Sequence, residues 1–338
     1  PFDWRKPDVR MNIAVARVTE TGLALAYLNQ VGGQDELVFD GASFVLNADC
    51  NLAMQMPAWE EAITLTEWER VDGRWRCVPG ERVLLPAGDA AAYQACVLGL
   101  RDYVGKNGFP GVVLGLSGGI DSALVAAIAT DALGPERVHC VMLPYRYTSS
   151  ASLDDAAACA RALGVRYDTV PIEAPVEGFA RALAPLFKGT EPGVTEENIQ
   201  SRARGTALMA ISNKFGAMVV TTGNKSEMSV GYATLYGDMN GGYNPVKDLY
   251  QMEVYRLARG PANNVPSGGL GPAGAVIPEH ILTKAPSAEL RENQTDQDSL
   301  PPYEVLDDIL ACLVEHEMSL ADIVARGHAS ETVRKVER

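Results

Sequence analysis

Long apolar runs are missing from this 338-residue chain. None approaches the roughly 20 residues that a membrane-crossing helix needs, so no spanning segment is expected. The opening "PFDWRKPDVR" has no apolar stretch of the secretory kind. Paired cysteines are missing too. Cys50, Cys77, Cys96, Cys140, Cys159 and Cys312 are scattered with no CxxC among them, the pattern of free thiols in a reducing compartment, and a cytoplasmic location is expected. Positive charge is short: 29 Lys and Arg stand against 43 Asp and Glu, for a net charge of -14. That argues against non-specific nucleic-acid binding, which rests on excess Lys and Arg, and no nucleic acid or membrane partner is expected. The absence that matters most is a GxxxxGK[ST] string, whose lysine reaches the phosphates in the common nucleotide-triphosphate loop.

What is present fits a soluble enzyme-sized chain. Hydrophobic residues make up 47% and charged residues 21%, enough for a core, and the length suggests two domains. Residues 12–82 hold short β-rich segments, among them "LALAYLN" and "ELVFDGASFVLN", and "WERVDGRWRCV" predicts a hairpin around Asp72-Gly73. A helix is expected over 90–107 with Asp89 as its cap. From Gly111 onward strands and helices alternate. Strands are expected at 112–116, 138–143, 165–171 and 218–222. Helices are expected at 122–133, 152–163, 176–186 and 196–214. This pattern predicts an α/β fold with a doubly wound parallel sheet. The Gly/Pro-rich stretch 260–274 reads as a mobile or functional loop.

One loop stands out. An apolar strand runs into Gly115, Leu116, Ser117, Gly118, Gly119, Ile120, Asp121 and Ser122, and a helix follows. Strand, glycine loop and helix start aim backbone N–H groups at an anion. Two glycines allow close approach, and Ser117 and Ser122 add hydroxyls. In place of a lysine the loop carries Asp121. An acid beside phosphates requires a divalent cation between them, and Mg²⁺ takes one or two carboxylates plus phosphate oxygens. The loop is therefore expected to hold Mg²⁺-pyrophosphate, with scission between the α- and β-phosphates of ATP.

SGGxDS between strand and helix resembles the pyrophosphate loop of the N-type ATP pyrophosphatases, which adenylate an oxygen and then let a nitrogen or sulfur nucleophile displace AMP. Within that superfamily, "MVVTTGNKSEMSVGYATLYGDMNGGYNPVKDLY" (residues 218–250) resembles the NAD synthetases. The resemblance implies that Thr222 contacts ATP and that Glu227 shares the metal with Asp121, the two being the catalytic and metal residues. "VTEENIQSRARGTALMAISNKFG" resembles the same family's substrate helix, which makes Asn198, Arg202 and Arg204 candidates for binding deamido-NAD, with Glu227 and Asp238. Asn198 and Arg202 fall on one helical face. "KAPSAEL" and "NQTDQDSLPPYEVLD" resemble a loop over the nucleotide and place Ser287 near ATP. Two departures stand out: Leu235 and Gln251 occupy positions where relatives carry lysine, and Lys247 is close enough to substitute for the second.

The segment "RVTETGLALAYLNQVGGQDELVFDGASFVLNADCNLAMQMPAWEE" resembles the C-terminal part of a nitrilase-like glutamine amidase domain. The domains implied are thus 1–88, part of such an amidase, and 89–338, the synthetase. Cys50 lacks a nucleophile's context. Apolar strands such as 37–46 are expected to leave open faces, and a homo-oligomer follows from that and from the resemblance. The expected reaction is ATP-dependent amidation of deamido-NAD by ammonia, drawn from glutamine in a longer enzyme. GMP synthetase chemistry and a non-catalytic nucleotide-binding module are the alternatives.

Overall fold

The structure, a computed structural model, describes residues 1–337. The chain forms two compact units, Pro1–Lys106 and Asn107–Arg338.

The first unit opens with helix α1 (Lys6–Thr21), ended by Gly22 in the left-handed region. Seven short strands follow: β1 (Leu25–Tyr27), β2 (Val31–Gln34), β3 (Leu37–Asp40), β4 (Phe44–Leu46), β5 (Leu52–Gln55), β6 (Trp68–Val71) and β7 (Arg74–Cys77). β1, β4 and β5 form an antiparallel sheet, and Ala14 and Val18 of α1 pack with Phe44 and Leu46. β2 pairs with β3 and β6 with β7. The expected hairpin is there: Asp72 and Gly73 both have positive φ, 50° and 80°, as a two-residue turn between twisted strands requires. Helix α2 (Asp89–Lys106) closes this unit. The expected open face over 37–46 is only partly realised. Phe44, Val45 and Leu46 are buried within the unit, and Leu37 is half exposed.

The second unit is a parallel α/β fold. Its strands β8 (Val112–Gly115), β9 (Val138–Met142), β10 (Arg166–Thr169) and β11 (Met218–Val219) form one sheet in the order β10-β9-β8-β11, all parallel. Helix α3 (Ile120–Leu133) joins β8 to β9, and α4 (Ser150–Leu163) joins β9 to β10. Helices α5 (Glu173–Leu183) and α6 (Val194–Phe215) lead back to β11 on the other side of β8. α3 is apolar all round and buried along nearly its whole length, as a helix enclosed on every side must be. α5 and α6 cover one face of the sheet, where Val113, Val141 and Val219 meet Ile172, Val176 and Ala203. The chain leaves β8 in one direction and returns to its other flank as β11. The strand order therefore reverses between them, which is where open α/β sheets place ligands.

Beyond β11 the fold is helical: α7 (Lys225–Ser229), α8 (Gln251–Arg259), α9 (Glu279–Thr283), α10 (Tyr303–Leu310), α11 (Leu320–Ala325) and α12 (Ser330–Glu337). α10 to α12 share a core of Tyr303, Leu306, Ile309, Leu310, Ile323 and Val333. The glycine-rich stretch after α8 is fastened to the end of α3, where the Leu270 N–H donates to the Asp131 carbonyl at 2.9 Å.

Candidate active site

The loop after β8 is built on its neighbours' backbone. Leu116 and Ile120 are buried, and the Leu116 N–H donates to the Val141 carbonyl at 3.0 Å. These two anchor the loop; between them Ser117 is exposed, Gly119 half-buried and Gly118 buried. The Ser122 hydroxyl donates to the Gly119 carbonyl at 3.0 Å and accepts from the Ser117 N–H at 3.2 Å. The Ser117 hydroxyl lies 3.1 Å from that of Ser122 and accepts from the Gly119 N–H at 3.2 Å. Gly118 has φ 79°, and a Cβ there would come within 2.4 Å of the Ser152 carbonyl oxygen. Glycine is required on both counts. No side chain caps the start of α3, so its first-turn N–H groups are available to an anion. Gly115 sits at the strand end with Leu208 beside it.

Facing the loop is a set of carboxylates. Asp121 lies in the first turn of α3. Its Oδ1 accepts from Nδ2 of Asn224 at 2.8 Å, and the same amide donates to Oε1 of Gln251 at 2.6 Å. Asn224 is also the cap of α7. Its Oδ1 accepts from the Glu227 N–H at 3.0 Å, and its own N–H donates to Glu227 Oε2 at 3.2 Å. This reciprocal capping box ties Glu227 to the residue that holds Asp121. Asn224 and Gln251 are both fully buried. Below them, the Gln251 N–H donates to the Ser226 hydroxyl at 2.8 Å, and that hydroxyl donates to Asp307 at 2.5 Å. Thr222, partly buried, stands between β11 and this nest.

The electrostatics of this side are unfavourable without a cation. Burial pushes the Asp121 carboxyl up to about 6, opposed by the amides of Asn224 and Gln251. Burial, and then the charge of Asp121, hold Glu227 well above the usual carboxylate range. Asp296 adds to both; it is itself raised by burial, and accepts from the hydroxyls of Tyr232 at 3.1 Å and Tyr303 at 2.8 Å. Among the described residues no group of three or more His, Cys, Asp or Glu forms a metal cage. Two carboxylates that resist ionisation side by side, next to a loop of phosphate donors, are nevertheless the donor set that Mg²⁺ accepts.

Helix α6 contributes a third surface. Asn198 accepts from the Thr234 hydroxyl at 2.9 Å, and the Arg202 guanidinium donates to the Leu235 carbonyl at 3.2 Å. Asp238 accepts from the Thr234 N–H at 2.6 Å, and its own N–H donates to the Ser201 hydroxyl at 3.1 Å. The helix and this loop approach very closely. A Cβ on Gly205 would lie 2.7 Å from the Gly237 carbonyl. Arg204 donates to the Leu143 carbonyl at 2.9 Å. Burial lowers its guanidinium to about 10, opposed by Glu289 and Asp238, which leaves it charged at neutral pH. The Ser287 hydroxyl donates to the Gln294 carbonyl at 2.6 Å.

The two positions of expected lysines differ in kind. Leu235 is exposed and offers only its carbonyl to Arg202. Gln251 belongs to the buried amide chain under Asp121: its Oε1 accepts from Asn224, and its amide lowers the Asp121 carboxyl. Lys247 pairs with Asp248 at 3.1 Å. Asn224, Asp296 and Lys284 complete the site beyond the residues that the sequence points to. The N-x-x-E spacing of Asn224 and Glu227 was a readable capping signal; Asp296 and Lys284 join the site only through tertiary contacts. None of the six cysteines forms a disulfide, and Cys50 sits at φ 63° with its thiol 3.6 Å from the Thr19 hydroxyl. The first unit has a cavity of about 630 Å³ lined by residues 28–34 and by Met56, Glu60 and Lys106.

Known proteins share this organisation. The NAD synthase family model matches residues 92–338. Glutamine-dependent NAD(+) synthetase of Rhodobacter capsulatus is 60% identical over 337 residues, covering 100% of this chain and 61% of that protein. The Acinetobacter baylyi protein of the same description is 46% identical, with 100% and 61% covered. The chain thus spans about three fifths of the length of these relatives. The structure of glutamine-dependent NAD+ synthetase from Acinetobacter baumannii, in complex with ADP, superposes with a TM-score of 0.78 at 44% identity, covering 99% of this chain and 60% of that one. NMN synthetase from Francisella tularensis gives 0.62 at 25% identity over 74% of this chain and 92% of its own. With the family model spanning the loop, the carboxylates and α6 alike, the chain belongs to the NAD synthase family.

Proposed function

We propose that residues 89–338 amidate the pyridine carboxylate of deamido-NAD at the expense of ATP, giving NAD, AMP and pyrophosphate. We further assign 1–88 to the C-terminal part of a nitrilase-like amidase domain, whose complete form releases ammonia from glutamine. The observation that carries the reading is the meeting of Ser117–Ser122 with Asp121 and Glu227 at the reversal point of the sheet. Phosphate donors and paired, ionisation-resistant carboxylates are together useful only to a metal-bound polyphosphate.

In this reading the N–H groups at the start of α3, with the hydroxyls of Ser117 and Ser122, bind the β- and γ-phosphates. Asp121 and Glu227 would hold Mg²⁺, which when bound neutralises charge on the leaving pyrophosphate. Thr222 and Ser287 contact the nucleotide. Asn198, Arg202, Arg204 and Asp238 orient the dinucleotide, and the arginines suit its pyrophosphate. A carboxylate oxygen of the substrate attacks the α-phosphorus and the bond to the β-phosphate oxygen breaks. Ammonia then attacks the acyl carbon, AMP leaves, and the new amide gives up a proton to water. Ammonia is a good nucleophile once unprotonated, so the rate comes from positioning and charge neutralisation. A homo-oligomer in a cytoplasmic setting completes the proposal.

The test is to supply ATP, Mg²⁺ and ammonium with deamido-NAD, nicotinic acid mononucleotide or xanthosine monophosphate in turn. NAD and AMP in equal amounts with the first acceptor support the proposal. Turnover with the mononucleotide alone moves the substrate toward that of the Francisella relative. Turnover with xanthosine monophosphate alone overturns the assignment.

A further inference from the structure

The phosphate loop has no lysine of its own, yet a lysine holds it from behind. Lys284 follows α9 directly. Its ammonium donates to the Gly118 carbonyl at 2.9 Å, to the Ser152 hydroxyl at 3.0 Å and to Asp155 Oδ2 at 3.3 Å. An ammonium has three donors, and all three are used on protein. The side chain is 24% exposed. Its surroundings are equally fixed. Asp155 Oδ2 also meets Nδ1 of His280 at 2.7 Å, and Glu289 accepts from the hydroxyls of Ser149 at 2.9 Å and Ser152 at 2.7 Å.

We infer that Lys284 is a positioning residue for pyrophosphate, acting through the Gly118–Gly119 peptide. A trans peptide points its C=O and N–H in opposite directions. With the Gly118 carbonyl fixed on the ammonium, the Gly119 N–H is turned to the loop's open side, where it now meets the Ser117 hydroxyl. Two adjacent glycines leave that peptide free to rotate. In the other orientation a carbonyl oxygen would face the phosphates in place of a donor. The contact with Lys284 opposes this rotation, and its charge lies on the far side of the plane from a bound anion. The lysine absent from the loop's own sequence is thus supplied 166 residues downstream, and it acts on the loop, not on the phosphate.

This inference rests on the proposed pyrophosphate-binding role of the loop. Its test is calorimetric titration of the purified protein with Mg²⁺-pyrophosphate, which needs no acceptor substrate. Lys284→Met should weaken pyrophosphate about tenfold or more, as loss of a charge-assisted hydrogen bond implies. Lys284→Gln, keeping amide N–H donors without the charge, should recover part of that. The KM for ATP should rise in parallel while the KM for the dinucleotide moves less than about twofold. Failure of the wild-type protein to bind pyrophosphate overturns the role of the loop itself. A wild type that binds while Lys284→Met matches it, or a mutant in which both KM values rise equally, overturns only the lysine's role. Should Lys284→Met not fold, Lys284→Gln is judged by the same criteria.

Discussion

In the loop Ser117–Ser122 the groups offered to a ligand are backbone N–H donors and two hydroxyls. The acid side is made by Asp121, at the loop's own helix end, and by Glu227 across from it, braced by Asn224 and Gln251. The loop is stable as it stands: its hydroxyls satisfy one another, and Leu116 and Ile120 anchor it in the core. The acid side is not, because burial raises both carboxyls, with the charge of Asp121 adding to Glu227 and that of Asp296 to both. One half is a finished template for phosphate oxygens. The other is an unfinished site that a cation completes. The difference teaches that anion binding and metal binding are separable here, and that substitutions on the two sides should fail differently.

The largest effect is expected on the acid side. Asp121→Ala or Glu227→Ala should lower AMP formation by about a thousandfold or more, with the melting temperature unchanged or raised, since a buried charge is removed. Turnover assays beside thermal melts check this, and full activity in Glu227→Ala would remove the metal assignment. Next comes the loop. Gly118→Val should lose pyrophosphate and ATP binding about a hundredfold and lower stability by roughly 1–3 kcal/mol, because its Cβ meets the Ser152 carbonyl at 2.4 Å and φ is 79°. Unlike the acid-side variants it should be both inactive and unstable, and a normal melt would break the contrast.

Asn224→Ala should act more mildly but on both properties. It leaves Asp121 and the Gln251 carbonyl oxygen without their donor, at a cost of about 1–3 kcal/mol. Since the Asn224 amide lowers the Asp121 carboxyl, its loss should move that titration upward, which carbon-13 NMR of the carboxyl reads. The smallest effect is on stability against pH. Asp121 titrates from 3.8 when unfolded to about 6 when folded. The folded state therefore holds the proton longer. The protein without Mg²⁺ should be most stable below about pH 4 as far as this group is concerned, and lose that share as pH rises through about 6. A shift of about 5 °C or less is expected in melts; Mg²⁺ or Asp121→Asn should flatten the trend.

These two sides also differed in how far they were legible. SGGIDS reads from local sequence because loop, strand and helix are contiguous and glycine has few reasons to be doubled there. β8, α3, β9, α4 and α6 fall within about two residues of expectation, because each is a contiguous apolar or helix-forming run closed by a glycine or, for β9, by Pro144. β11 is shorter than the apolar run 218–222 suggests: Met218 and Val219 pair with β8 and the Val220 N–H still donates to the Val113 carbonyl, but the Thr221 N–H donates to the Tyr243 carbonyl instead. The acid side draws on residues from 121 to 307; the resemblance of 284–290 and 293–307 to a loop over the nucleotide brings those segments near, but singles out neither Asp296 nor Lys284 as a neighbour of a loop more than 150 positions away. Gln251 is the sharpest case. Read along the chain it is a missing lysine; in the fold it is a buried amide within hydrogen-bonding reach of Asn224. Polar side chains that act by bracing a charge carry no pattern of their own.

The central claim is that the loop holds pyrophosphate as a leaving group and keeps the α-phosphate open to attack. It is tested by incubating the protein with [α-³²P]ATP, Mg²⁺, ammonium and deamido-NAD and separating the labelled nucleotides. All label released from ATP should appear as AMP, with inorganic pyrophosphate competing against ATP. Label accumulating chiefly as ADP would mean that the loop works as a kinase-type cradle, and the account would be contradicted.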